Sequence, residues 1–213
     1  MIDLHTHSLL SDGALLPSEL VRRAYAIGYK AIGIADHADI SNIDFIVTRI
    51  VKASRTLTSS KIRVVPGIEL THVPPKDFPS LIKYARANGI KLVIVHGETI
   101  VEPVIPGTNA CAVECGIDIL AHPGLITLKD AKTAARRGIC LELTAKRGHS
   151  LTNGHVARVA LEAKAKLVLN ADAHNPEDLI TRDTAVSIIL GSGLSKAQAA
   201  AVLKNSSQFL KKF

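Results

Sequence analysis

A single-domain α/β barrel of seven strand–helix units is the fold this sequence predicts, and three observations carry the expectation. Seven short apolar runs alternate with longer segments of helical period along the chain. No Pro/Ser linker or shift of composition divides them. The histidines gather at the C-terminal ends of the apolar runs. Strand–helix units in series build a parallel sheet with helices outside it, and seven are enough to close a barrel. With 213 residues, 47% apolar and 21% charged, the chain can bury a substantial core and is too apolar to stay disordered.

In order, the first strand is "IDLHT" at 2–6. The helix "PSELVRRAYAIG" at 17–28 follows, with Pro17 near its start and Gly28 at its end, as helix termini prefer. "KAIGIAD" at 30–36 is the second strand, and "NIDFIVTRIVKASRTL" at 42–57 the helix that leads to "IRVVPGIEL" at 62–70. The next pairs are "DFPSLIKYARANG" at 77–89 with "KLVIVHG" at 91–97, and "TNACAVECG" at 108–116 with "IDILAH" at 117–122. "LKDAKTAARRG" at 128–138 precedes "ICLELT" at 139–144, and "NGHVARVALEAKA" at 153–165 precedes "KLVLNA" at 166–171. Several of these helices end in Gly, the usual left-handed stop. Residues 176–213 read as two or three helices that close the barrel, one of them capped by Ser195.

Composition excludes several classes. No apolar run reaches the roughly 18 residues that cross a bilayer, and the expectation is a protein with neither membrane span nor signal peptide. Three cysteines, Cys111, Cys115 and Cys140, are an odd number for a disulfide framework, so a reducing, cytoplasmic setting is expected. Cys111 and Cys115 share a helical face, a spacing open to a metal pair or redox couple, and two small buried residues against a sheet are the expectation. A net charge of +7 suits anionic partners such as phosphate esters or nucleic acid. Seven Phe and Tyr and no Trp leave little material for stacking bases.

Six of the nine histidines stand at strand ends: His5 and His7, His37, His96, His122 and His174. His5 and His7 share one face of the first strand, because side chains alternate. Asp12, Glu69 and Asp172 interleave with them on the same rim. Strand C-termini converge on the catalytic face of a β/α barrel. So many ionisable groups in one mouth would repel and desolvate one another, and divalent cations remove that conflict. Nine ligands exceed the need of one ion, and two or three ions of zinc, manganese or iron match the count. Glu69 could bridge two of them.

The ordered motifs "HTH" at 5–7, "SDG" at 11–13, "ADH" at 35–37, "GIE" at 67–69, "HG" at 96–97, "AHPG" at 121–124 and "ADAH" at 171–174 resemble those of the PHP (polymerase and histidinol phosphatase) family. The resemblance implies a distorted seven-stranded, TIM-like barrel with a trinuclear metal site. It carries the ligand role to His5, His7, Asp12, His37, Glu69, His96, His122, Asp172 and His174. Many members have a histidine where this chain has Asp12, which keeps a ligand oxygen but bears on occupancy of the third site.

Such ions acidify a bound water and neutralise phosphoryl charge, so the expected activity is metal-dependent phosphoester hydrolysis, of a monoester as in histidinol phosphatases. Lys146 and Arg147 are the candidate phosphate cations. His149 and His155 are candidate proton donors, and His72 a candidate substrate contact. Asp36 is expected to anchor a loop and Glu98 to support the ligand side. Two alternatives stand beside this reading. One is a phosphodiesterase or nuclease acting on nucleotides or oligonucleotides. The other is a non-catalytic RNA-binding subunit similar to the barrel protein of archaeal ribonuclease P, which is not expected to keep a full ligand set.

Overall fold

The computed structural model describes residues 1–212. Seven parallel strands form the wall: β1 (Ile2–Thr6), β2 (Ala31–Ile34), β4 (Arg63–Leu70), β5 (Leu92–His96), β6 (Ile119–Ala121), β7 (Cys140–Thr144) and β8 (Lys166–Asn170), paired in that order. A two-residue β3 (His37–Ala38) continues the line of β2 and pairs with Glu69 and Leu70 of β4. The helices are α1 (Pro17–Ala26), α2 (Ile43–Leu57), α3 (Phe78–Ala87), α4 (Thr108–Ala112), α5 (Leu128–Arg137), α6 (Asn153–Ala163), α7 (Arg182–Gly191) and α8 (Lys196–Phe209). No described helix is long and apolar enough to cross a membrane.

Two elements differ from the sequence expectation. The run at 30–36 does not continue straight to His37, because Ala35 and Asp36 leave the ladder. Ala35 N–H still donates to Thr6 O of β1 whereas Asp36 O accepts from Glu69 N–H of β4, and the buried Asp36 carboxylate accepts from Ser8 N–H, Ser8 Oγ and Ser11 Oγ. Asp36 thereby ties down the loop after β1, as its predicted anchoring role requires. The helix expected over 108–116 stops at Ala112. Beyond it Glu114 and Cys115 donate to carbonyls only three residues back, the tighter pattern in which helices run out. Cys111 and Cys115 pack half-buried against the core with their Sγ atoms 3.9 Å apart.

Two apolar layers hold the barrel. The larger lies between strands and helices and includes Ile46, Ile50, Leu81, Val93, Leu120, Leu141 and Ile189. The smaller fills the interior with Leu4, Ala35, Val65, Leu92, Ile94, Ile119, Cys140 and Val168. Phe209, at the end of α8, joins this inner cluster among the strand N-termini, and Asn205 donates to Leu167 O. The C-terminal helix therefore plugs the bottom. It starts at a capping box in which Ser195 and Gln198 exchange hydrogen bonds.

Closure between β1 and β8 is only partly made by backbone. At the top, Asp172 N–H donates to His5 O and His7 N–H to Ala173 O, both at 2.9 Å. Lower down side chains take over: Leu4 N–H donates to Asn170 Oδ1 at 2.8 Å, and Ala171 N–H to Asp3 Oδ2 at 3.0 Å. The β1–β2 register shifts between Asp3 and Thr6, so that Leu4 below the shift and His5 and His7 above it all serve the interior. Gly33 allows the close approach here, since a Cβ would meet Leu4 O at 2.5 Å.

Removing the seam acceptor should be costly. Asn170→Ala leaves the buried Leu4 N–H without its partner and takes a donor from Glu142, and an unsatisfied buried group costs about 1–3 kcal/mol. The expected outcome is an unfolding free energy lower by about 2–4 kcal/mol for the two groups together, read as a lower urea midpoint at unchanged slope.

Candidate metal centre

Period-two alternation turns each inward column of the barrel from apolar at the bottom to polar at the top. β5 runs Leu92, Ile94, His96; β4 runs Val65, Gly67, Glu69; β7 runs Cys140, Glu142, Thr144; and β8 leads through Val168 and Asn170 to Asp172. The nine residues predicted as ligands thus meet at one mouth. Six of them, Asp12, His37, His96, His122, Asp172 and His174, line a pocket of about 400 Å³. His5, His7 and Glu69 lie fully buried deeper in the barrel.

Glu69 is the hub. Its oxygens stand 3.4 Å from His5 Nε2, 3.7 Å from His7 Nε2, 2.8 Å from His37 Nδ1 and 3.5 Å from His122 Nε2. Asp172 faces His7 Nε2 at 3.2 Å and His122 Nε2 at 3.6 Å. Asp12 reaches His174 Nε2 at 3.3 Å and His37 Nε2 at 3.5 Å. Ligand-competent atoms gather accordingly into overlapping groups, among them His5/His7/Asp172, His5/Glu69/His122 and His7/Asp12/His37/His174.

Most rings are fixed through Nδ1, which leaves Nε2 to aim inward. His5 Nδ1 lies 2.9 Å from Glu142 Oε1, His37 Nδ1 2.6 Å from Thr71 Oγ1, and His96 Nδ1 3.1 Å from Gly97 O. His149 Nδ1 is 2.7 Å from Thr99 Oγ1, and His174 Nδ1 is 3.0 Å from Asp172 O. A hydrogen bond on one imidazole nitrogen orients the other for a metal.

Electrostatics divide the same set, since only a neutral imidazole can take a metal. Burial, aided by His37 and His5 and opposed by Asp172, drives the His7 imidazole down to about 3 and keeps it neutral. Burial and the neighbouring His122 likewise push His149 down to about 4. Burial would lower His37 too, but Glu69 and Asp12 hold it at about 10. Against the cost of burial, His5 and His37 keep Glu69 well below the ordinary carboxylate range.

The residues present suit divalent cations on an independent ground. His5 Nε2, both ring nitrogens of His7, Glu69 Oε1 and His122 Nδ1 are buried without a hydrogen-bond partner. Buried polar atoms are rarely left so, and four of these five belong to histidine, the common ligand of zinc and iron. The backbone is also held off its minima here. Of the four described non-glycine residues with positive φ, three line the pocket: His72 at 53°, His122 at 27° and Asp172 at 52°. Gly124, in "AHPG", has φ 58°, and a Cβ there would collide with Glu98 O.

The other sequence candidates divide. Lys146 lines the pocket, and so does His72, exposed at its mouth. His149 turns inward and stacks on His122 at 4.2 Å between ring centroids, forming a ligand-competent group with His96 and His122. Arg147 is exposed and outside the pocket lining. His155 sits in the first turn of α6 with Nε2 on Ile126 O. Glu98, expected beside His96, instead accepts from Asn109 N–H and donates its own N–H to Asn109 Oδ1, which turns it to the start of α4.

Sequence reasoning missed two carboxylates. Glu142 is fully buried and accepts from Asn170 Nδ2 and from His122 N–H besides facing His5. Its parity on β7, two before Thr144, was the available signal. Glu102 lies on the irregular loop after β5 and reaches His96 Nε2 at 3.0 Å; His96 beside it lowers its pKa to about 2. No local pattern announces it.

Comparisons with known proteins fit this geometry. The PHP domain matches residues 3–97. An uncharacterised protein of Methanocaldococcus jannaschii is 45% identical over 199 residues, 92% of this chain and 91% of that one. A 5'-3' exoribonuclease of Haemophilus influenzae is 39% identical over 69 residues, 32% of this chain and 23% of the enzyme. Among solved structures, a chain of archaeal ribonuclease P with mature tRNA superposes with a TM-score of 0.73 at 16% identity, covering 100% of this chain and 90% of the other. Histidinol phosphate phosphatase of Lactococcus lactis, complexed with zinc, L-histidinol and phosphate, gives 0.62 at 14% identity, covering 91% and 94%. At these identities the structural likeness is one of fold.

Glu142 supplies a test of how the centre is supported. Glu142→Ala frees the His5 ring and removes the acceptor of His122 N–H, and loss of such an outer partner typically costs roughly 10–100-fold in metal affinity. Chelator competition against manganese or zinc should read that loss.

Proposed function

Because this chain belongs to the PHP domain family, we propose that it is a phosphatase that releases inorganic phosphate from a small monoester, with two or three divalent cations held by the nine ligands above. The observation that carries the reading is the set of buried, partnerless imidazole and carboxylate atoms converging on Glu69 beneath an open pocket. Bound divalent cations supply an acidified water and neutralise charge on the phosphoryl group.

Around them this chain's own residues do the rest. His5, His7, Glu69 and Asp172 would hold the deepest cation, Glu69, His96 and His122 a second, and Asp12, His37 and His174 a third. Lys146, whose ammonium stands between His174 and Asp178, offers a point charge to a phosphate oxygen at the rim. The leaving group of a bound ester would face the mouth, where the exposed His72 can contact it. The walls exclude bulk water, since the groups below the rim are nearly all buried.

A nuclease reading draws support from the likeness of 69 residues to a 5'-3' exoribonuclease, together with the charge of +7. It differs in expecting turnover of short oligonucleotides that falls with added salt.

The deciding experiment is elemental analysis of the purified protein with a phosphate-release screen under added manganese or zinc. Histidinol phosphate, nucleotides and a 5'-phosphorylated oligonucleotide serve as substrates. Two or three metals per chain and release from a monoester are expected. Metal-free protein that stays inert after reconstitution overturns the reading. Asp172→Asn should abolish hydrolysis with an unchanged fold by circular dichroism, since Asn tolerates the left-handed backbone that Asp172 adopts. His122→Ala should do the same. Full activity of either variant without metal would refute the assignment.

A further inference from the structure

The loop between β5 and α4, residues 97–107, contains no helix or strand. It is pinned near its two ends, by the reciprocal Glu98–Asn109 hydrogen bonds and by Thr99 Oγ1 against His149 Nδ1. Between the pins Ile100, Val101 and Ile105 point outward, 53%, 46% and 43% exposed. Glu102 alone among them turns back into the pocket. Its Oε2 lies 3.0 Å from His96 Nε2 and 3.4 Å from His72 Nε2, and its Oε1 lies 3.3 Å from His149 Nε2.

Three imidazole edges thus grip two anionic oxygens at the rim of a site whose chemistry calls for a phosphate. A phosphoryl group seated against these imidazole edges would take the place that the Glu102 oxygens hold, and one set of donors does not serve two anions at once. One of them has to leave. The protein side can do so, because three of the four Ile and Val side chains on the segment that bears Glu102 are already exposed and only Val104 is half-buried, which leaves little packing to lose.

We propose that Glu102 is an intramolecular occupant of an anion subsite formed by His72 and His149 beside the cation that His96 would hold, displaced when the phosphate of substrate or product binds. The inference rests on the phosphoester reading above and adds the group that sets phosphate affinity. It makes residues 100–106 a strap that opens as the anion enters, and it favours dianionic phosphates over singly charged carboxylates, which compete poorly with a tethered one.

Titration calorimetry of inorganic phosphate into manganese-loaded wild type, Glu102→Gln and Glu102→Ala tests this, with metal stoichiometry measured on the same samples. If the strap is closed about nine-tenths of the time, removing the competitor tightens phosphate binding about tenfold. Both variants should show it at unchanged metal content, Gln because it loses the charge while keeping the size. Equal or weaker phosphate binding in both overturns the proposal. Loss of one metal equivalent also overturns it and makes Glu102 a resident ligand. Metal-replete wild type and variants that all fail to bind phosphate would instead sink the phosphoester reading itself, and the strap with it.

Discussion

The structure is organised around the burial of one carboxylate. Glu69 is fully enclosed, and four imidazoles approach its two oxygens. An isolated ionised carboxylate at such depth would be expelled or protonated. It stays ionised because the positive charge of His5 and His37, or of cations that displace their protons, compensates it, and those rings are in turn fixed by Glu142 and Thr71. Each strand top that contributes to the mouth is bound by this arrangement, since a misplaced ring would leave an uncompensated charge in the barrel.

The same network closes the barrel. Asp3 and Asn170 supply acceptors that the β1–β8 seam lacks, Asn170 also donates to Glu142, and Glu142 holds His5 and the backbone of His122. Seam and candidate metal centre are therefore one continuous set of buried hydrogen bonds. Such networks are valuable only when every member is satisfied. That couples the shape of the wall to the position of the ligands, which a site needing sub-ångström placement requires.

Much of this was legible in the sequence. Period-two runs that end in His or Glu gave both the strands and the direction of their ends, so "VIVH" and "PGIE" located His96 and Glu69 without tertiary information. What was not legible depends on contacts between distant segments. The break between β2 and β3 arises from Asp36 binding Ser8 and Ser11, some 25 to 28 residues away. Glu102 has no periodic partner at all, and its place is set by three histidines on other loops and strands. Glu98 misled because the two-residue rule holds within a strand, and the strand ends at His96.

The likeness to a ribonuclease P chain is one of fold, and the cost of the mouth argues what kind of barrel this is. A scaffold that only binds RNA needs a stable wall and an external basic surface. It gains nothing from three strained residues at the pocket, from buried nitrogens without partners, or from a carboxylate ringed by imidazoles. Backbone in such conformations costs on the order of 1–3 kcal/mol per residue and persists only where the surroundings enforce it. Exchanging these groups for apolar ones of similar volume would relieve the charge burial without disturbing the helices outside. That the chain instead surrounds them with Glu142, Thr71, Thr99 and Gly97, each holding one ring in place, is what the cation-binding role proposed for the mouth requires of its support.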